Sequence, residues 1–366
     1  MRLVHYYPRA LAGDGGPTRA VWNWASAAYN AGCDVAVIYD ADLERQSPLR
    51  NPAIPVIPLK HAGAGRIRMP RRLATALAAD DVLVLHSTYI PSNVVAARIA
   101  HRRGVPYIVM PHGGYDRRAR DRRPHRKRAW LPVERAYLER SLAVHVFFDS
   151  EMPDAAELAP NARWLVAPTG FELPADRWDG GTGGYLAWIG RYDIKHKGLD
   201  LLVSAMSRLA VPDRRPLRLH GKRSENGAED IERIAQASGV TDAVTVGGQL
   251  DGSDKADFLR RAVAYVHPSR WEAYSLALVE ALAYGIPTVV SASCSIAQRL
   301  QAAEAAVIVD PTPEGIASGI SAILRSPQRY SERAVEFVRT GLTWPAIMED
   351  YLLQIENLRR GRLGPL

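Results

Sequence analysis

Gly190-Arg191-Tyr192-Asp193-Ile194-Lys195-His196-Lys197-Gly198-Leu199-Asp200 is a glycine-framed cationic loop between two different kinds of sequence. Before it, residues 185–189 form a short run that is almost wholly apolar, the pattern of a strand buried on both faces. After it, residues 199–209 repeat their apolar side chains at helical spacing. A loop that leaves a parallel strand and opens a helix is where open α/β sheets take ligands. Its glycines let a backbone approach, the helix start favours an anion, and Arg191 and Lys197 add two positive charges. A diphosphate answers all three features. Two solvated loop charges are the plainer alternative.

The same alternation extends outward in both directions. Strands are expected near 3–7, 34–39, 82–86, 107–110, 144–148 and 164–167, then near 185–189, 217–220, 243–246, 264–267, 288–290 and 307–309. Helical patterns lie between them, among them 18–30, 199–209, 230–238 and 275–284. Strand, helix and strand in repeated order imply an α/β fold with parallel sheets covered by helices on both faces. Residues 168–174 and 179–184 are rich in Pro, Gly and Thr, and they mark a hinge between two doubly wound domains. The expected division is 1–168, joined by a last helix within 344–366, and 169–343.

Composition narrows the class. The chain has 366 residues, 47% hydrophobic and 23% charged, which is ordinary for two globular domains. No apolar run approaches the roughly 18 residues that span a bilayer, and the first residues read as a strand rather than a leader. Cys33 and Cys294 stand far apart without a metal-ligand pattern, so both are expected to be small buried residues in a reducing cytoplasm. The net charge of +8 is concentrated in one place. Arg117, Arg118, Arg120, Arg122, Arg123, Arg126, Lys127 and Arg128 face a single acid, Asp121. A solvated helix face is one reading of that run. The other is an anionic membrane surface or a phosphate-bearing acceptor, at about 1 kcal/mol per charge. Nucleic acid is not expected, because the run lacks interleaved aromatics or a recognition motif.

Two carboxylates complete the second half. Glu272 follows the strand at 264–267, and Glu280 lies eight residues on, inside the apolar helical run. If helical, eight steps span roughly 12 Å, about the separation of a hexose from a ribose across a diphosphate. Glu280 has no solvated face in its surroundings and is expected to be buried and bonded. A helix-start acid and an exposed helix residue are the structural alternatives.

These blocks, GRxxxxKGxDxL at 190–201 and PSxxExxxLxxxEAxAxGxPxV at 268–289, with Gly247-Gly248 after a strand, resemble the donor domain of the retaining GT-B glycosyltransferases, family 4. The resemblance covers most of 185–310. It implies a GT-B fold, two Rossmann-like domains facing a central cleft, and retaining transfer of a hexose-type sugar from a nucleotide-diphosphate donor to a sugar or lipid-linked acceptor. It further implies that Arg191 and Lys197 hold the diphosphate, Glu272 the sugar hydroxyls and Glu280 the ribose. Gly190, Gly247 and Gly248 would line the donor, with backbone amides around Ala273, Tyr274, Ser275 and Leu276. Where many relatives carry glycine, an aromatic and another glycine, this chain has Ala273-Tyr274-Ser275. Gly15 and Gly16, after the first strand, match the family's glycine loop, and His112, in Pro111-His112-Gly113-Gly114, is placed against the donor sugar. His86 is a weaker candidate of the same kind. No cofactor or metal is expected, and the DxD-like Asp40-Ala41-Asp42 is read as coincidence. The rivals are a GT-B epimerase, a phosphorylase (for which no pyridoxal lysine site is visible) and a non-catalytic sugar-nucleotide or lipid-binding scaffold.

Overall fold

The computed structural model describes residues 1–8, 16–41, 51–63, 69–120, 124–222 and 227–361, with side chains for all of these except 16, 17, 119 and 124–128. The chain forms two compact units: unit 1 is Met1–Gly170 with Trp344–Leu366, and unit 2 is Phe171–Thr343. The first crossing thus lies two residues beyond the expected boundary.

Unit 1 contains β1 (Arg2–Tyr6), β2 (Asp34–Asp40), β3 (Val56–Leu59), a two-stranded antiparallel hairpin of β4 (His61–Ala62) and β5 (Met69–Pro70), then β6 (Asp81–His86), β7 (Tyr107–Met110), β8 (Ala143–Val146) and β9 (Trp164–Val166). Seven of these make a parallel sheet in the order β3-β2-β1-β6-β7-β8-β9. Every residue of β6, β7 and β8 is buried, as strands covered on both faces must be. β3, which carries Pro58, sits at the edge, where a missing ladder donor costs nothing. One face is covered by the helices Gly16–Asn30 and Trp344–Arg359, whose Trp24, Ile347, Tyr351 and Ile355 belong to a single buried cluster with Leu3, Val37 and Val84. Gly170 is required where the chain leaves this unit: a side chain there would run into the Trp344 ring.

Unit 2 repeats the plan with β10 (Leu186–Ile189), β11 (Leu217–His220), β12 (Val244–Gly247), β13 (Ala264–His267), β14 (Thr288–Ser291) and β15 (Val307–Val309). All are parallel, in the order β12-β11-β10-β13-β14-β15. Each sheet grows first to one side of its opening strand and then to the other. The switch falls between β1 and β6 in unit 1 and between β10 and β13 in unit 2, and the chain leaving such neighbours opens a crevice at their carboxyl ends. No helix among the described residues is long and apolar enough to cross a membrane.

Candidate functional site

In unit 2 the two singled-out blocks leave the two switch-point strands. The loop after β10 contains a short helix, Ile194–Lys197, capped by Asp193, whose carboxylate accepts from His196 N at 3.2 Å. Gly198 closes it at φ 65°, and a side chain there would collide with the Pro268 carbonyl beyond β13. The two loops are therefore pressed together at a point only glycine permits. Arg270 adds a fork to Asp200 at 2.7 and 2.9 Å, and the rings of His196 and Trp271 stack at 4.4 Å.

This close approach brings the Lys197 ammonium onto the Glu272 carboxylate. Glu272 Oε2 also lies 3.4 Å from Ser269 Oγ and 3.6 Å from His267 Nε2. Burial by itself would raise the Glu272 carboxyl. The imidazole of His267 and the charge of Lys197 outweigh it and hold the group at about 2. His267, fully enclosed, is pushed down by burial and stays neutral beside Lys197. The chain at Glu272 is fixed by a bridge to Cys294, with Ser295 N donating to its carbonyl at 2.9 Å.

The glycines after the other strands share this edge. Gly190 N donates to His220 O at 3.0 Å and Gly221 N to Gly248 O at 3.2 Å. A side chain on Gly221 would overlap Gly190 O, and one on Gly190 would come within 2.8 Å of the Trp188 ring. Gly247 is packed against the His220 ring, whereas Gly248 faces open space. Gly221 was legible only in part: it follows a strand, but no spacing marks it.

The helix expected over 275–284 runs Leu276–Tyr284, with Ser275 as its cap accepting from Leu278 N at 3.3 Å, so Glu272 lies in the loop before it and Glu280 within it. The cap hydroxyl satisfies an orphan amide and stops the helix there. Of the four charged groups, Lys197 and Glu272 are in contact, Glu280 pairs with Lys255 of the helix Gly252–Arg260, and Arg191 stands exposed on the β10 loop. Ala273 and Tyr274 occupy the irregular stretch before the cap, and burial drives the Tyr274 hydroxyl far above its ordinary range.

In unit 1 the sequence missed most of the edge. His112 lies two residues past β7 at φ 52°, and Ser87 and Tyr89, past β6, are at φ 73° and 55°. Left-handed conformations at non-glycine residues carry strain that the surrounding structure must hold in place. Its Nε2 meets His86 Nδ1 at 3.0 Å, and His86 Nε2 meets His5 Nδ1 at 2.9 Å. Burial lowers all of them, His5 and His112 to about 3, and His145 on β8 to about 4. Buried Glu134 clamps the loops by accepting from Tyr89 N at 3.0 Å, Tyr115 Oη at 2.6 Å and Trp130 Nε1 at 2.9 Å. Glu151 Oε1 accepts from Phe147 N and Phe148 N at 2.9 and 3.0 Å, and burial pushes this carboxyl up to about 8.

Gly15 lies outside the described residues, and Gly16 opens the first helix. Of the basic run, Arg117 and Arg120 pair with Glu157, which neutralises part of the expected charge. Arg118 is exposed; Arg122 and Arg123, and the side chains of Arg126, Lys127 and Arg128, lie outside the described set. Asp40 is buried 3.3 Å from His61 Nδ1, and Asp42 is outside the described residues. Cys294 is buried as expected, but Cys33 is only half-buried.

Residues 181–340 match the family of glycosyl transferases group 1, and residues 15–170 match the glycosyl transferase 4-like domain. Among curated proteins, the phosphatidyl-myo-inositol mannosyltransferase of Mycobacterium leprae is 30% identical over 163 residues, 43% of this chain and 42% of that protein. Such matches span less than half the length of the curated relatives. Among solved structures, sucrose-phosphate synthase from Thermosynechococcus elongatus aligns over 99% of this chain and 98% of its own, with a TM-score of 0.73 at 21% identity. HepE of Anabaena, solved with UDP, aligns over 97% and 99% with a TM-score of 0.76 at 13% identity. At those identities the likeness is one of fold. With both halves matched in order, and with two parallel α/β sheets built on the same plan, the chain belongs to the family 4-like GT-B glycosyltransferases.

Proposed function

We propose that this protein transfers a hexose-type sugar from a nucleotide-diphosphate donor to a sugar or lipid-linked acceptor, with retention at the anomeric carbon and without a metal. The observation that carries this reading is the enclosed Lys197–Glu272 pair at the unit 2 switch point. A part-buried pair of this kind carries a desolvation penalty that its mutual attraction offsets, so a strongly charged ligand can take over one partner. On this reading a donor diphosphate takes over the Lys197 ammonium and the exposed Arg191 guanidinium. Glu272, released from its lysine, then accepts hydrogen bonds from sugar hydroxyls. Glu280 and Lys255 stand one element further along, toward the nucleoside.

As the glycosidic bond breaks, negative charge grows on the leaving phosphate. Arg191 and Lys197 are placed to absorb it, which is preorganised electrostatic stabilisation. The departing phosphate stays on the face it leaves and takes the acceptor proton, so the new bond forms on that same face. Two fixed cations do the neutralising work that a metal does elsewhere.

A thermal-shift panel of UDP-, GDP-, ADP- and dTDP-sugars is the first test. A specific donor at a hundred times its Kd stabilises the fold by about 2.7 kcal/mol. The donor so identified should be consumed only when an acceptor or water receives its sugar. Product formed without any acceptor would make the protein an epimerase, and binding without turnover would make it a scaffold.

A further inference from the structure

The helix Pro91–Arg102 leads from β6 to β7, and the helix Pro124–Glu139 lies between β7 and β8. Connections between parallel neighbours run back against the strands. Both helices therefore end at the amino edge of the sheet, the opposite end from the loops that follow β6 and β7. Between them lies a cavity of about 240 Å³, wholly within unit 1. Val94 and Ala97 of the first helix, Val133 and Ala136 of the second, and Tyr107 at the start of β7 with Tyr137 give it an apolar floor. The two tyrosine rings stack at 5.8 Å, and the Tyr107 hydroxyl is taken up by the Tyr137 carbonyl at 2.6 Å.

Arg98, His101, Arg102 and Arg140 line the same cavity. Helical spacing brings them there: 94, 97, 98, 101 and 102 share one face of the first helix, and 133, 136, 137 and 140 continue one face of the second. Burial raises the Tyr107 hydroxyl far above its ordinary range, and the Arg140 charge opposes that rise, which puts the guanidinium near the ring. Among the described residues no carboxylate lies within ion-pair distance of Arg98, Arg102 or Arg140. Glu139, next to Arg140 in sequence, is held by Arg135 at 3.0 Å and Asn161 at 3.4 Å. Elsewhere exposed arginines do meet acids, as Arg208 meets Glu314 and Arg329 meets Glu304. Arg98 and Arg102 are moreover like charges one helical turn apart, which repel. A helix C-terminus favours cations by itself, and that accounts for His101 and Arg102. It accounts for neither the cavity nor its aromatic floor.

The lining selects its ligand. A rim of guanidinium groups repels cations and matches phosphate oxygens two at a time. The apolar floor leaves the hydroxyls of a sugar unpaired and suits hydrocarbon instead. At roughly 30 Å³ per water-sized group, the cavity admits about eight such atoms, enough for a short apolar body with its anionic group at the rim. We propose that this groove is a second binding site, for a phosphate monoester with a short apolar body. Its phosphate is held among Arg98, Arg102 and Arg140, and its apolar part lies against Tyr107 and Tyr137. None of these residues belongs to a carboxyl edge, so the site stands independently of the proposed function. Such a group occurs both as a soluble ester and as the head of a membrane lipid.

The test is calorimetric titration of the whole chain with hexyl phosphate, beside inorganic phosphate and hexanol. Hexyl phosphate should bind roughly tenfold or more tightly than either, because its buried methylenes add to the charge contact, and it should move the ring signals of Tyr107 and Tyr137 in NMR. Arg102→Gln and Arg140→Gln, both at exposed positions, should each weaken it about tenfold. Ala136→Phe, which fills the floor, should weaken hexyl phosphate and leave inorganic phosphate unchanged. Arg191→Ala should leave hexyl phosphate binding as it is, which keeps the result apart from donor binding in unit 2. Equal affinity for hexyl and inorganic phosphate would reduce the cavity to a charged surface and overturn the proposal. So would binding that survives both arginine changes, or that falls with Arg191→Ala. Flotation with phosphatidylcholine vesicles, with and without phosphatidic acid, identifies the source. Flotation that requires phosphatidic acid and is lost in the double arginine variant makes it a membrane lipid; hexyl phosphate binding without flotation makes it a soluble ester. A nucleotide sugar that binds while hexyl phosphate does not would sink this site alone and leave the proposed function standing.

Discussion

The two units solve the same architectural problem with opposite electrostatics. At the switch point of unit 1 the strands end in a row of uncharged imidazoles, held neutral by burial and joined ring to ring. At the switch point of unit 2 the equivalent strands end in charge, with a half-buried lysine against a carboxylate held at about 2 and an exposed arginine on the same loop as the lysine. A neutral edge can discriminate hydroxyls by direction without attracting ions. A charged edge is suited to a diphosphate and to the charge that develops when one departs. Similar sheets thus present different groups at their edges because of what is placed at their ends, not because of their order.

The contrast within unit 2 offers the hardest test. Lys197→Ala strips Glu272 of its partner in an enclosed site, so stability should fall by about 3 kcal/mol and turnover by about 10² to 10³. Arg191→Ala, at an exposed position, should lose turnover on the same scale while stability stays within about 0.5 kcal/mol. Urea melts and donor-consumption rates on both variants check this, and wild-type rates in Arg191→Ala would remove that residue from the chemistry.

Acid should separate the units next. His5 and His112 at about 3, and His145 at about 4, lie below the ordinary 6.5, so on acidification the unfolded chain binds protons that the folded unit 1 refuses. Their stabilising contribution is complete above pH 6.5 and is lost as the pH falls, at up to about 1.4 kcal/mol per pH unit for each group. Glu272 gives unit 2 a contribution that begins to fade only below about 4.5, and burial lowers His267 there as well. Hydrogen exchange between pH 7 and 4 should show unit 1 opening first, and simultaneous opening would erase the distinction.

A smaller effect is expected at the loop junction of unit 2. Gly198→Ala forces a side chain into left-handed backbone against the Pro268 carbonyl, at a cost of about 1–3 kcal/mol. The smallest is at Glu151 in unit 1. Its folded carboxyl at about 8 lies above the ordinary 4.5, so what it contributes is present below 4.5 and drains away as the pH rises toward 8. Glu151→Gln keeps an oxygen for the amides of Phe147 and Phe148 but cannot ionise, and at pH 8 it should melt at or above wild type by about 1 kcal/mol.

What could be read from the residues follows the same divide. The unit 2 edge is written locally: glycines, Arg191, Lys197 and Glu272 sit in two short blocks, each leaving one strand, so spacing exposes them. The strands were legible because burial on both faces demands unbroken apolar runs, and β7, β11, β13 and β15 begin and end where expected. The histidine row is written across the fold. His5 and His86 are 81 positions apart, and only the strand order makes them neighbours, so no window of sequence contains the signal. The helix carrying Glu280 starts one residue later than expected for a local reason: Ser275 reads equally well as a helix residue and as a cap, and its hydroxyl, accepting from Leu278 N, decides for the cap.

The wandering path of the chain has a consequence for synthesis. The helix Trp344–Arg359 lends Ile347, Met348, Tyr351, Ile355 and Leu358 to the same buried cluster as Leu3 and Trp24, so the core begun by the earliest strand is finished only by residues made after unit 2 is complete. Unit 2 is uninterrupted, and its two ends meet where Phe171 N donates to Leu342 O at 2.7 Å. On a ribosome adding about 5–20 residues per second, the inserted unit can close first while its host waits, unfinished, for a last helix to emerge.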